Sequence, residues 1–351
     1  MNKRQSSQIL IYGANGYSAE LIIERACQDG AYPVLAGRSA DKIRPLAERY
    51  GLPMQVFALD DPDAIAHQLQ GIRVVLNCAG PFLRTAMPMA TACIRTGVHY
   101  LDLNGEIGIF EAMAGLGKKA ESAGVMLMPG VGFDVVPSDC LAAHLKRRLP
   151  DATRLTLSIQ AIGRPSHGTT LTILESQVQG AIRDAGKIVP VPPAWKTRIS
   201  NCGHGPVKLM SFPWGDVATA YYSTAIPHIE VYIAVPLSLR VLCYLNRYLP
   251  GMMSAPSLRD FFNSTVPAGG PDAAERERGC VYLLGEASNA SGQTMSSRLK
   301  TPEGYALTAL TAWDIAGRTA GGEAQPGFRT PSMVFGADYI LSIAGTSRED
   351  C

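Results

Sequence analysis

A chain of 351 residues exceeds the size at which one hydrophobic core usually keeps growing, so two structural units are expected. With 46% hydrophobic residues, 18% charged residues and a net charge of +2, the composition excludes a disordered chain and offers no electrostatic ground for nucleic-acid binding. The eight cysteines (Cys27, Cys78, Cys93, Cys140, Cys202, Cys243, Cys280, Cys351) show no CxxC pair or zinc-holding spacing, so no metal centre is expected and a reduced, cytoplasmic protein fits best.

The first residues, Met1 to Gln8, are polar and run directly into a strand, which argues against a signal peptide. From there, short β-rich apolar runs alternate with segments of helical period. Strands are expected near Gln8–Tyr12, Pro33–Ala36, Met54–Ala58, Val74–Cys78, His99–Leu103 and Val125–Met128. Helices are expected near Tyr17–Asp29, Ala40–Tyr50, Pro62–Leu69, Ala86–Thr96 and Ile107–Ser122. That rhythm predicts an α/β unit with a Rossmann-type parallel sheet over residues 1–150.

Beyond Pro150 the rhythm stops. Arg154–Ile162 alternates like a half-exposed strand, Thr170–Ala185 has helical period, and a Gly-, Pro- and aromatic-rich stretch runs to Asp216. Val231–Met253 is apolar but broken by Pro236, Arg240, Asn246, Arg247 and Pro250. It reads as a partly buried or dimer-facing element, with a helix lying on a membrane surface as the other reading, and no run reaches transmembrane length. Asp272–Gly279 reads as a charged loop or helix start. Tyr282–Ala287, Thr294–Leu299 and the stretch around Tyr305 read as strands, and Leu307–Gly321 as a helix. Residues 151–325 are therefore expected to form an α+β mixed-sheet domain for substrate and dimerisation. Residues 326–351, with a helix over Thr330–Ile343, are expected to pack back on the first domain.

Directly after the first strand comes Gly13-Ala14-Asn15-Gly16-Tyr17-Ser18-Ala19. A first glycine permits a tight turn, the second admits a pyrophosphate close to the backbone, and the small Ala19 allows the helix to pack on the strand. The pattern alone is compatible with a plain strand–helix turn; its place at the first of six alternating strands is what favours a dinucleotide. The second strand ends in Ala36-Gly37-Arg38-Ser39-Ala40-Asp41-Lys42, where an NAD-binding fold commonly carries an acid for the ribose hydroxyl. Arg38, Ser39 and Lys42 instead suit a 2′-phosphate, which favours NADP(H), the alternative being solvated surface cations. Asp60, after the third strand, is expected beside adenine, with an N-cap role for Asp60 or Asp61 as the competing reading. Asn77-Cys78-Ala79-Gly80-Pro81-Phe82, after the fourth, is assigned to the nicotinamide half, with Cys78 a small buried thiol rather than a nucleophile.

Two more loops are expected to face the cleft: Asp102-Leu103-Asn104-Gly105-Glu106, and Pro129 to Asp139 with Gly130, Gly132, Phe133, Asp134, Pro137 and Ser138. Their polar groups can orient a carbonyl or relay a proton, although Ser138 and Asp139 also suit helix N-caps.

Taken together, GANGYSA, LAGRSADK, NCAGPF, YLDLNGE and GVGFDVVPSD resemble the saccharopine dehydrogenase-like oxidoreductase family. The later ERERGCVYLLGEA, RLKTPEGYALTA and PGFRTPSMVFGADYIL are similar to its trans-acting enoyl reductase branch, stand-alone partners of polyketide synthases. The resemblance implies a Rossmann domain holding NADP(H) and a mixed-sheet domain that supports dimers. It maps Gly13, Gly16, Tyr17, Ser18 and Arg38 onto the cofactor turn and phosphate reader, and Ala79, Gly80 and Pro81 onto the nicotinamide-side loop. Ala19 departs from the family's usual glycine, and no arginine cluster suits a multiply charged substrate such as saccharopine.

The expected activity is NADPH-dependent reduction of a C=C bond in a polyketide or lipid-type acyl substrate, held on an acyl carrier protein or free. Imine or carbonyl reduction, and a non-catalytic NADP-binding, lipid-associated protein, are the alternatives. Asn104, Glu106, Tyr17 and Ser138 are the candidates for holding the thioester oxygen and supplying the proton.

Overall fold

Ile9–Tyr12 (β1) is four consecutive apolar residues with no polar alternation, and all four are buried, as a strand covered on both faces must be. Tyr17–Gln28 (α1) buries Ala19, Ile22, Ile23 and Ala26, a single stripe at helical spacing. The alternation continues through Val34–Gly37 (β2), Ala40–Tyr50 (α2), Met54–Val56 (β3, the half-exposed edge strand), Pro62–Gln68 (α3), Val74–Asn77 (β4), Phe82–Thr96 (α4), His99–Asp102 (β5), Ile107–Gly115 (α5), Gly117–Ser122 (α6) and Met126–Met128 (β6). The computed structural model describes residues 6–164, 179–237, 240–241, 243–244 and 269–351.

The chain divides into two compact units, Met1–Val136 with Tyr305–Gly336, and Pro137–Gly304 with Ala337–Cys351. In the first, a seventh strand, Gly327–Phe328, joins the edge beside β6, and the order runs from it through β6, β5, β4, β1 and β2 to β3. All pairs are parallel, which gives the doubly wound Rossmann arrangement with its switch point between β1 and β4. The expected single helix Ile107–Ser122 is two helices. Gly117 lies where a side chain would meet Phe328 at 3.3 Å, so the seventh strand packs against a glycine at the break.

The second unit opens with Val136–Arg148 (α7), followed by Arg154–Ile162 (β7), Gly180–Asp184 (β8), Lys187–Val191 (β9), Thr197–Asn201 (β10), Pro206–Ser211 (β11), Asp216–Thr224 (α8), His228–Ala234 (β12), Ala273–Arg278 (α9), Cys280–Ser288 (β13) and Thr294–Pro302 (β14). After Gly304–Ala320 (α10), the strand Gly327–Phe328 (β15) and Pro331–Phe335 (α11), Ser347–Asp350 (β16) closes the chain. The second sheet has nine strands, in the order β10, β11, β12, β7, β13, β14, β16, with β8 paired to β12 and β9. β7 is parallel to β12 and antiparallel to β13, so the sheet is mixed as expected.

Several local expectations are corrected. Gly180–Asp184 is a strand rather than the end of a helix, and residues 170–178 lie outside the described residues. Of Val231–Met253, the first four residues end β12, while residues 238–239, 242 and 245–253 lie outside the described residues. No helix among the described residues is long and apolar enough to cross a membrane. Tyr305 stands in the first turn of α10 rather than in a strand. The expected helix Thr330–Ile343 is only α11 and a 3-10 turn at Tyr339–Ser342, because Gly336 at φ +84° breaks it. Residues 326–351 therefore divide: β15 and α11 lie in the first unit, whereas β16 pairs with β14 in the second.

Charged side chains hold that last strand. Arg147 donates to both oxygens of Asp338 at 2.8 and 2.9 Å, and Arg348 donates to the same carboxylate at 2.6 Å, holding Asp338 well below the usual carboxylate range. Nδ1 of His144 lies 3.1 Å from Arg147, a group that can only donate, so its Nε2–H donates to Asp350 at 2.8 Å.

Asp61, and not Asp60, is the N-cap of α3, accepting from the amides of Asp63 and Ala64 at 2.9 and 3.2 Å. Asp61→Ala is expected to cost about 1 kcal/mol, read as a lower urea midpoint. Asp60→Ala is expected to leave the midpoint in place, and equal losses would reject the distinction.

Candidate functional site

Parallel register sets the ends of the first unit's strands in one row. Tyr12 is paired with Ala36 on one side and Asn77 on the other, and Asn77 is paired with Asp102. The loops bearing Arg38, Gly13 to Ser18, Cys78 to Pro81, and Asn104 to Glu106 all leave from this carboxyl edge, the ligand-binding edge of open α/β sheets.

The β1–α1 turn is made by Gly13 at φ +81°, whose amide donates to the Ala36 carbonyl at 2.8 Å. A side chain there would come within 2.7 Å of the Ala79 backbone, so the turn touches the end of β4 main chain to main chain. Gly16 is the N-cap of α1, and no side chain caps that helix. An anion can therefore take the place of a cap at its amino end. Asn15 is exposed, and Tyr17 packs edge-on against Tyr305 at 5.2 Å.

Arg38 and Lys42 are exposed, and Ser39 is the N-cap of α2 without a side-chain cap bond. Beside them the Tyr12 hydroxyl donates to the Phe57 carbonyl at 3.0 Å. Burial raises the pKa of Tyr12, Arg38 opposes that shift and Asp60 adds to it, which brings the guanidinium and the exposed Asp60 to the same side of the row. Tyr12, stacked at 5.0 Å on Phe57, escaped the sequence reading because it looks like the last apolar residue of a strand.

At the other side, a buried hydrogen-bond chain lies under the loops. The Asn77 amide nitrogen donates to the Tyr100 hydroxyl at 3.2 Å, and Tyr100 donates to Asp102 at 2.8 Å. The other Asp102 oxygen accepts the amides of Asn104 and Gly130, both at 2.9 Å. Asn77 Oδ1 accepts the Ala79 amide at 3.1 Å, and Thr85 donates to the Ala79 carbonyl. Burial pushes the Asp102 and Asp134 carboxyls up to about 6. Asp134 lies against Gly105, where a side chain would meet its carboxylate at 2.8 Å. Burial also drives the Cys78 thiol far up, which agrees with an inert sulfur.

The structure thus brings Tyr17, Asn104 and Glu106 into the first unit together with the cofactor candidates, whereas Ser138 is counted with the second unit. Ser138 and Asp139 are not N-caps: α7 starts at Val136, whose amide donates to Gly132, and both are buried inside its first turn. The Asn104 side chain serves its own loop, accepting the Glu106 amide at 2.8 Å.

Residues 9–128 match the family described as saccharopine dehydrogenase NADP binding domain. Trans-acting enoyl reductase from Mycobacterium leprae (strain TN) is 32% identical over 154 residues, covering 42% of this chain and 37% of that protein. Its namesake from Mycobacterium ulcerans (strain Agy99) is 32% identical over 149 residues, covering 40% and 36%. The chain thus matches little more than a third of the length of these curated relatives. Apo histidine-tagged saccharopine dehydrogenase (L-Glu forming) from Saccharomyces cerevisiae superposes with a TM-score of 0.62 at 13% identity, covering 98% of this chain and 99% of that one, a likeness of fold.

The residues present fit NADP(H). An uncapped helix start behind glycines can accept a diphosphate, and directly after β2 the chain places the exposed Arg38 and the N-cap Ser39, with Lys42 in the first turn of α2.

A carboxyl whose folded pKa lies above its unfolded value gives stability that is full below about pH 4 and is lost as pH rises through about 6. Asp102→Asn is therefore expected to gain on the wild type between pH 4 and 7.5, by roughly 2 kcal/mol. Parallel denaturation curves at several pH values check this, and a pH-independent difference would mean that Asp102 titrates normally.

Proposed function

We propose that this protein is an NADPH-dependent enoyl reductase acting on an acyl thioester, with the acyl group carried by a carrier protein of polyketide-synthase type. The observation that carries the reading is the row of strand ends, with a helix-start diphosphate site at β1 flanked by Arg38 on one side and a small-residue loop, Ala79–Gly80–Pro81, on the other. The relatives' shared name supports the acceptor.

In this reading Gly13, Asn15, Gly16, Tyr17 and Ser18 hold the diphosphate through the amino end of α1. Arg38, Ser39 and Lys42 hold the 2′-phosphate, with Asp60 beside the adenosine. Cys78, Ala79, Gly80 and Pro81 line the nicotinamide half. Bound NADPH supplies the hydride that reaches the β-carbon of the enoyl group. The protein's tasks are to fix that alignment, to hold the thioester oxygen as it gains negative charge, and to place a proton on the α-carbon. The Tyr17 hydroxyl and the Glu106 carboxyl are the groups we assign to the proton. Asn104 acts by holding the Glu106 amide.

Two measurements test the reading. NADPH consumption is expected with enoyl thioesters and not with ketones or imines; silence with every enoyl thioester at saturating cofactor rejects it. Arg38→Ala is expected to weaken NADPH about 10–100-fold while changing NADH less than about twofold, the worth of one or two charged hydrogen bonds. Equal losses in titrations of the two cofactors would remove the phosphate-reading role.

A further inference from the structure

We infer that Asp102 is a positioning residue that sets the polarity of the Asn77–Tyr100–Asp102 chain and thereby fixes the Ala79–Pro81 loop; its link to the nicotinamide rests on the reading above. A carboxylate has no proton to give, so the Tyr100 hydroxyl must donate to it at 2.8 Å. The Tyr100 oxygen is then left to accept from the Asn77 amide nitrogen, 3.2 Å away. That turns Asn77 Oδ1 toward the Ala79 amide, 3.1 Å away. Each bond determines the direction of the next, and the chain ends on the backbone of the small-residue loop. The other Asp102 oxygen binds the amides of Asn104 and Gly130. One buried carboxylate therefore ties together the loops that follow β4, β5 and β6.

No cation is paired with Asp102 among the described residues, so its charge rests on these hydrogen bonds alone. An amide at this position satisfies the two loop N–H groups equally well with its oxygen. Its nitrogen, however, then faces the Tyr100 oxygen as a donor, and Tyr100 must send its proton toward Asn77. Asn77 answers by turning its amide over, which sets two N–H groups against each other at Ala79. A side chain needed only to close the β5–α5 loop would not transmit this reversal.

The experiment compares wild type, Asp102→Asn and Tyr100→Phe in three readouts. The first is hydrogen exchange over residues 78–85 by mass spectrometry, without cofactor. Faster exchange there in both variants, with melting temperatures within about 4 °C of wild type, is expected; unchanged exchange overturns the inference. The second and third are affinities for NADPH and for 2′,5′-ADP, which carries the phosphate-bearing half of the cofactor and no nicotinamide. Asp102→Asn is expected to weaken NADPH about tenfold, the effect of one lost buried hydrogen bond, with 2′,5′-ADP unchanged. Equal loss of both ligands, or loss of neither, overturns the link to the nicotinamide. Failure of the wild type to bind NADPH overturns the cofactor reading itself, while the exchange measurement still decides whether the chain controls the loop.

Discussion

The absence of a side chain at Gly13 is the constraint on which the site depends. With φ at +81° and the Ala79 backbone 2.7 Å from where a Cβ would stand, this position admits glycine alone. Because the turn and the loop meet backbone to backbone, the uncapped start of α1 and the loop after β4 are held at a fixed separation. Parallel register does the rest: Ala36, Tyr12, Asn77 and Asp102 stand side by side, so every loop that leaves this row begins from a strand whose position is set by its neighbours.

The two ends of the row use different physics. At the β2 end the groups are exposed and charged, with Arg38 and Asp60 near the anchored Tyr12 hydroxyl and Lys42 in the first turn of α2. Long-range attraction in water is weak and screened, so such groups discriminate a phosphate mainly by contact. On the other side the groups are buried and the order is carried by directed hydrogen bonds, Asn77 to Tyr100 to Asp102. Burial makes that chain costly, as the raised pKa of Asp102 shows, and the same burial makes each bond strongly directional.

Much of the first unit was legible because its signals are local. Six strands, their helices and the glycine turn follow from apolar runs, helical stripes and φ-permissive residues. The seventh strand, Gly327–Phe328, was not legible: it is two residues long and exists only through pairing with β6. The second unit was read only at β7, β13 and β14, while α10, expected there, falls in the first unit. Its strands β8 to β11 carry half-buried, mixed sequences whose pairing is non-local, as the antiparallel partners of β11 illustrate. The C-terminal strand Ser347–Asp350, polar throughout, is held by β14 and by the salt links of Asp338 and Asp350, which no periodicity encodes.

The site shows the same division. The candidates proposed to act through backbone shape or exposed charge, Gly13, Gly16 and Arg38, announce themselves by type and spacing. Residues that act through other residues do not: Tyr12 and Tyr100 read as apolar strand positions, and only the register shows that Tyr100 can bridge Asn77 and Asp102. Enoyl reduction asks for an aligned hydride donor, an oxygen contact and one proton, none of which requires a distinctive side-chain pair. The Asn104 amide, which suits an oxygen contact by composition, is spent on its own loop. The order of this row of strand ends is therefore set less by the identity of its polar residues than by which of them the buried carboxylate holds still.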